Sequence, residues 1–443
     1  MNAKPSSPIY LPMKPHVTEI LYQEPATLAA RLRGERHLTL LESVMRHEHL
    51  GRYSYLACNP TETFRDCQLD EIRSVLHSNQ QESIIGLPPF QGGLAGYISY
   101  DFNRQLESNA KLSDYKKLCP DLILHHYDTI ISFDHMLEKA WIISPNESEA
   151  SELEKLLKQK QSASGSHVIE NWQSNFTRPN YEAAIQKTID YILAGDIFQA
   201  NITQCFSAKI PSSFDAFGFY KRLRNLNPAT FAAYLDYDDV QIVSSSPERL
   251  IEVENRVAEA RPIKGTKHRS PDEAHDAELA QQLQASRKDR AENVMIVDLL
   301  RNDLSRIAKP GTVKVPVLCG LESYANVHHL VSVVRGDLRD GTDLVDVLKA
   351  VFPGGSITGA PKIRAMEIIS ELEQQSRGVY CGAIGYLGFN GACDLNIAIR
   401  TALFTEGMAY VSGGGGITAR SQPAAEYEES LTKIKRIMEA FAP

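Results

Sequence analysis

The chain has 443 residues, of which 43% are hydrophobic and 23% charged. That balance excludes a disordered polymer and a bundle of membrane spans. A net charge of −8 argues against a nucleic-acid partner, and no apolar run approaches the ~20 residues of a membrane-spanning helix. Residues 1–14 contain three prolines and no apolar stretch of signal-peptide length, and the seven cysteines are scattered without a C-x-x-C pair. Reduced thiols in a soluble, cytoplasmic enzyme are the expectation.

Short β-like runs come first: His37–Leu41, Leu94–Tyr100, Leu122–Tyr127, Thr129–Phe133 and Ala140–Ser144. Gly, Pro and Asn/Asp clusters separate them, so the first third reads as α+β with antiparallel pairing. Glu152–Lys160 is charged and helical in pattern, and it runs into the polar stretch Gln161–Ser166, the best linker candidate. Tyr181–Ala194 has helical periodicity and stops at Gly195. Phe231–Leu235 and Val240–Ser244 form a hairpin pattern, and Asp272–Arg306 is a long helical pattern with at least one break. Cys381–Phe389, Leu395–Ala402 and Ala409–Ser412 read as strands, and Pro423 opens a last helix that runs to about Ala440.

On that helix Glu426, Glu429 and Lys433 stand at i, i+3 and i+7, beside an apolar stripe of Leu431, Ile434, Ile437, Met438 and Phe441. Taken alone, this describes an exposed helix with an ordinary Glu–Lys pair. Asp289 and Glu292 repeat the i, i+3 spacing directly before the apolar run Met295–Leu300. Two helices that each offer a carboxylate pair can hold Mg²⁺, which takes one or two protein carboxylates and keeps waters or substrate oxygens elsewhere. Pro353–Lys362 has the look of a phosphate loop, but Ala360-Pro361 displaces the Gly-Lys-Ser/Thr ending. Gly413–Gly416 lies between a strand and the last helix, where bare backbone can approach a ligand and exposed amides can form an anion nest. Lys264, in Pro-Ile-Lys-Gly-Thr, becomes a nucleophile if a pocket desolvates it.

In this order, Ser246-Pro-Glu-Arg, Pro262-Ile-Lys-Gly-Thr, Lys288-Asp-Arg-Ala-Glu-Asn-Val-Met-Ile-Val-Asp-Leu, His328-His-Leu-Val-Ser, Gly355-Ser-Ile-Thr-Gly-Ala-Pro-Lys and the glycine run closed by Glu426-Tyr-Glu-Glu resemble the chorismate-utilising enzymes. The strong resemblance spans 176–441, the chorismate-binding catalytic region. A looser one, through Leu40-Leu-Glu-Ser and Pro89-Phe-Gln-Gly-Gly, marks 1–165 as similar to the N-terminal region of anthranilate synthase component I. The resemblance implies an α+β fold with a large antiparallel sandwich core and surrounding helices. Family members that use water carry a lysine where this chain has Gln199, and the anthranilate-forming branch usually has alanine where this chain has Lys264. The resemblance therefore implies the aminating branch, which makes 4-amino-4-deoxychorismate for 4-aminobenzoate and folate, with the anthranilate-forming branch as the alternative.

Carried over residue by residue, it implies Glu248 as acid/base, Lys264 as covalent nucleophile and His329 beside the reacting ring. Thr358, Tyr386, Arg400, Gly414, Gly415, Gly416 and Lys433 match substrate-binding positions. Glu292 and Glu429 match direct Mg²⁺ ligands, with Asp289 and Glu426 behind them. Ser43, Arg52, Tyr53, Thr230, Phe231 and Ala232 match a tryptophan pocket, in which relatives more often carry proline at the position of Thr230. Chorismate is the implied substrate. With no glutaminase motif in the chain, the implied partner is a separate glutamine amidotransferase subunit that supplies ammonia.

Overall fold

A computed structural model describes residues 15–46, 50–159, 165, 168–324 and 327–442. Two antiparallel sheets, of twelve and ten strands, carry the architecture, and helices pack around them. None of the helices among the described residues is long and apolar enough to cross a membrane. Of the linker candidate Gln161–Ser166, only Gly165 lies within the described residues.

Each sheet draws strands from both sides of that linker. Leu38–Glu42 pairs with Phe231–Tyr237 in the larger sheet, and Gly93–Ile98 pairs with Ala383–Gly388 in the smaller. The regions 1–165 and 176–441 therefore share both sheets. Buried apolar side chains on the inner faces, such as Ile123, Tyr97, Ala233, Ile242 and Ile384, close the space between them. The early strands lie at Gly93–Ile98, Leu122–Tyr127, Ile130–Asp134 and Lys139–Ser144, within a residue or two of their expected bounds. The charged helix lies earlier than expected, at Glu147–Leu156, because Asn146 accepts from the Glu149 amide and caps it.

Three features position the site. The long helical pattern breaks at Ser286, whose side chain accepts from the Asp289 amide, so helix Glu273–Ala285 ends and helix Arg287–Ser305 starts at a new angle. The expected strand Leu395–Ala402 is instead two strands in different sheets: Cys393–Asn396 belongs to the smaller and Thr401–Thr405 to the larger. Arg400, at φ 52°, stands in the crossing between them. Finally, the glycine run is no turn. Strand Met408–Ile417 continues through it, with Gly414, Gly415 and Gly416 opposite Thr203, Ile202 and Asn201 of strand Gln199–Lys209. On that side the run is held in a ladder, and the pairing of its other edge with strand Thr401–Thr405 ends at Val411. The missing side chains matter on the faces: a Cβ at Gly413 would strike Ser430 of the last helix, and one at Gly416 would come within 2.5 Å of Gln199 Nε2.

Candidate active site

Strand Ile263–His268 places Lys264 at the centre of the site. Its Nζ donates to the Ser356 carbonyl at 3.4 Å. Burial holds its pKa below that of an ordinary lysine, against the pull of Glu248, Glu292 and Glu429. Gly265, at φ +79°, lets the next turn of chain pass, since a Cβ there would lie 2.9 Å from Asp289 Cγ. Asp289 thus packs against the strand beside Lys264.

Glu248 follows the end of strand Val240–Ser246 and is buried. Burial raises its pKa, offset by Lys264, Ser356 and Arg400. Among the described residues neither its Oε1 nor the buried Ser356 hydroxyl meets a partner at full hydrogen-bond geometry, although the Ser356 side chain lies near enough to Glu248 to lower its pKa. A buried carboxyl with a raised pKa beside a buried amine with a lowered one is the arrangement that proton transfer needs. His329 lies across from Thr266 in the neighbouring strand, its Nδ1 2.9 Å from the Thr266 hydroxyl. Burial pushes its pKa down to about 4, so the imidazole is neutral at neutral pH. Arg400 acts electrostatically on both Glu248 and His329.

The last helix, Pro423–Ala440, presents Glu426, Glu429 and Lys433 to the glycine strand. A Cβ at Gly415 would lie 3.0 Å from Glu426 Oε2, 3.4 Å from Lys433 Nζ and 3.5 Å from Glu429 Oε1. Lys433 donates to the Gly414 carbonyl at 2.8 Å and pairs with Glu429 at 2.7 Å. Burial works to raise the Glu429 pKa, but Lys433, Lys288 and Lys264 together outweigh it and the net shift is downward. Burial raises those of Glu426 and Glu292. Glu292 Oε1 is buried, has no hydrogen-bond partner among the described residues and lies 3.9 Å from the Lys288 ammonium. Among the described residues no three carboxylate, imidazole or thiol groups converge on one point. Any ion held here would take two carboxylates, one from each helix, and complete its shell with other oxygens.

Two expected site residues stand elsewhere in their contacts. Tyr386 is not with the Lys264 cluster. Strand alternation turns it into the space between the sheets, where it stacks on Phe90 at 4.5 Å and meets Tyr55. Thr358 is fully buried and its hydroxyl donates to the Gly354 carbonyl, so it is engaged in holding its own turn. Lys362, in the segment that resembles a phosphate loop, is tied to Asp303 at 2.9 Å. Sequence reasoning passed over Ser356, Asn201 and Lys288. Ser356 lay inside a motif already singled out, and its value shows only once Lys264 is seen to reach it.

Ser43, Arg52, Tyr53, Thr230, Phe231 and Ala232 do come together, around a cavity of about 500 Å³. Tyr386 lines it too, as do Arg249, Glu252 and Asp394. Arg249 makes paired hydrogen bonds to Asp394 at 2.9 and 2.7 Å. The cavity and the Lys264 cluster are thus lined by different residues, with Glu248 in the cluster and its sequence neighbour Arg249 in the cavity lining.

The aminodeoxychorismate synthase component 1 of Salmonella typhimurium is 43% identical over 350 residues, 79% of this chain and 77% of that one. That of Bacillus subtilis is 37% identical over 441 residues, with 92% of each chain covered. The crystal structure of anthranilate synthase component I from Streptococcus pneumoniae superposes with a TM-score of 0.78 at 31% identity, over 89% of this chain and 94% of that one. Residues 36–439 match the chorismate binding enzyme family, to which this chain belongs.

Proposed function

We propose that the protein converts chorismate and ammonia to 4-amino-4-deoxychorismate and water, the committed step towards 4-aminobenzoate and folate. The observation that carries this reading is the Lys264 amine, withdrawn from solvent and hydrogen-bonded to Ser356, with the buried carboxyl of Glu248 within its field. The relatives named aminodeoxychorismate synthase component 1 support the same branch.

The reaction needs two displacements. Neutral Lys264 attacks C2 of the ring, the double bond shifts, and the C4 hydroxyl departs with a proton from Glu248 as water. The substituted lysine nitrogen returns a proton to Glu248. Ammonia then attacks C4, the double bond shifts back, and Lys264 leaves C2 with the proton held by Glu248. The new amine's extra proton restores Glu248. Two easier steps replace one hard one. Arg400 and Lys433 offset substrate carboxylate charge, and neutral His329 lines the ring without adding charge.

A bound Mg²⁺ fits the donor set, since Glu292 carries a buried oxygen with no hydrogen-bond partner among the described residues and Glu429 and Glu426 face Gly415. Glu292 and Glu429 would hold it, with Asp289 and Glu426 behind, and it would supply charge neutralisation for a substrate carboxylate. The ammonia donor is proposed to be a glutamine amidotransferase subunit, consistent with the words "component 1" in the relatives' names. Among the described residues all seven cysteines are free, which suits a cytoplasmic protein. The cavity between the sheets is proposed as an amino-acid site of the tryptophan-binding kind, with Glu252 and Asp394 facing an ammonium group and Arg52 a carboxylate.

The test is product mass after incubation with chorismate, Mg²⁺ and ammonium. 4-Amino-4-deoxychorismate is expected. Anthranilate would establish the other branch, and unchanged chorismate would point to a binding protein without catalysis. Gly415→Ala adds a methyl against the tips of flexible side chains. It should cost less than about 1 kcal/mol of stability, yet lower turnover by about 10²-fold through misplaced carboxylates. Melting and initial-rate measurements on one preparation check both.

A further inference from the structure

Strand Gln199–Lys209 lies next to the rim of the larger sheet. On its outer side the two-residue strand Gly359–Ala360 covers only Gln199 and Ala200, and Gln173–Ser174 covers only Phe206 and Ser207. Between these covers, the Thr358 carbonyl and three side chains occupy the place of a neighbouring strand. Asn201 N–H donates to the Thr358 carbonyl at 2.7 Å, and Cys205 N–H donates to Asn175 Oδ1 at 2.8 Å. Arg377 donates to the Asn201 carbonyl at 2.7 Å, and Thr203 N–H donates to Glu373 Oε1 at 2.8 Å. An ion pair thus supplies the donor and the acceptor that a strand would have supplied.

The pair is deeply buried, with its side chains 3% and 4% exposed, and its N–O distance is 2.6 Å. Arg377 also lies over the Tyr100 ring, 4.5 Å from its centroid. The remaining arm of the guanidinium donates to the Ile357 carbonyl at 3.1 Å. Ile357 closes the turn Gly355–Ile357, whose middle residue offers its carbonyl to Lys264. On the other side of strand Gln199–Lys209 stand Gly414, Gly415 and Gly416. One planar fork therefore ties together the turn that seats the lysine amine and the strand that backs the carboxylates of the last helix. Buried ion pairs are seldom retained for net stability, because desolvation offsets their attraction. The fixed geometry of a guanidinium, which lysine lacks, is what this junction uses.

We propose that Arg377, held by Glu373, is a positioning residue for amine transfer, setting the place of the Lys264 amine relative to the glycine strand. This rests on the reading of Lys264 as the nucleophile. The test uses the full chain with Arg377→Lys, Arg377→Gln and Glu373→Gln. Two quantities are read: kcat and KM for chorismate with ammonium and Mg²⁺, and the pH profile of Lys264 acetylation by acetic anhydride without substrate, followed by peptide mass.

Arg377→Lys keeps the charge but not the fork. It should lower kcat by about 10²-fold, leave KM within about threefold, and move the midpoint of Lys264 labelling by about half a pH unit or more. A wild-type kcat and labelling profile in Arg377→Lys would show that the pair only holds the fold, whatever the change in melting temperature. A fall in kcat that merely follows the folded fraction, with labelling unchanged, overturns the proposal as well. If Arg377→Gln does not fold, the other two variants carry the test. If the wild-type protein makes no amino product, the functional reading fails, while the labelling profiles still decide whether Arg377 places Lys264.

Discussion

Lys264→Ala should lower formation of the amino product by at least about 10³-fold and remove any covalent adduct visible by intact mass during turnover. That factor corresponds to about 4 kcal/mol of transition-state stabilisation. The expectation follows from where the amine stands. On an exposed strand a lysine is almost wholly protonated at neutral pH and cannot attack carbon. Here burial lowers its proton affinity, and Lys433 adds like charge in the same direction. Glu248, Glu292 and Glu429 resist that shift without reversing it. Folding should survive the substitution, because the hydrogen bond it removes, from Lys264 to the Ser356 carbonyl, is long at 3.4 Å. A melting curve close to wild type together with lost turnover fits the role of nucleophile. An adduct that persists in Lys264→Ala would remove lysine from the mechanism.

Much of this site was legible in the sequence because helices keep their neighbours in order. The spacing of Glu426, Glu429 and Lys433 placed three charges on one face, and the structure sets that face against Gly415. The end of helix Arg178–Ala194 and the start of helix Pro423–Ala440 followed from Gly195 and Pro423, residues with strong local preferences, while the first helix starts three residues earlier than expected, at a Thr177 cap. Strands were less readable at two points. Four glycines carry no β signal of their own, yet Gly413–Gly416 are strand because a helix must cross close above them, a demand set by tertiary packing. Leu395–Ala402 looked continuous because both halves are apolar, and only the left-handed backbone at Arg400 shows that the chain changes sheet there. Tyr386 was assigned by motif, but a strand's two faces serve different sites, and its side chain falls on the face towards the cavity. The Arg377–Glu373 pair was out of reach, since its partners at residues 201, 203 and 357 are distant in sequence.

Glu248→Gln should lower turnover by about 10²- to 10⁴-fold while raising stability at neutral and alkaline pH. The two effects share one cause. Burial disfavours the carboxylate, so the folded-state pKa of Glu248 lies above its ordinary value of 4.5. Above pH 4.5 the unfolded chain releases this proton while the folded chain retains it, so stability falls as pH rises through the folded pKa. Glutamine has the same shape and no proton to lose, and it escapes that penalty. The melting temperatures of variant and wild type should therefore converge near pH 4.5 and separate above it, with the variant higher. Loss of the Glu248 charge also weakens the hold of Lys264 on its proton, so the amine becomes neutral more readily and leaves no stranded charge. Lysine nucleophilicity is thus preserved or increased in Glu248→Gln, and the missing function is delivery of a proton to the departing hydroxyl. Retained turnover would place the acid elsewhere, whereas a melting temperature lower than wild type at pH 8 would mean that the carboxylate is the form the fold prefers.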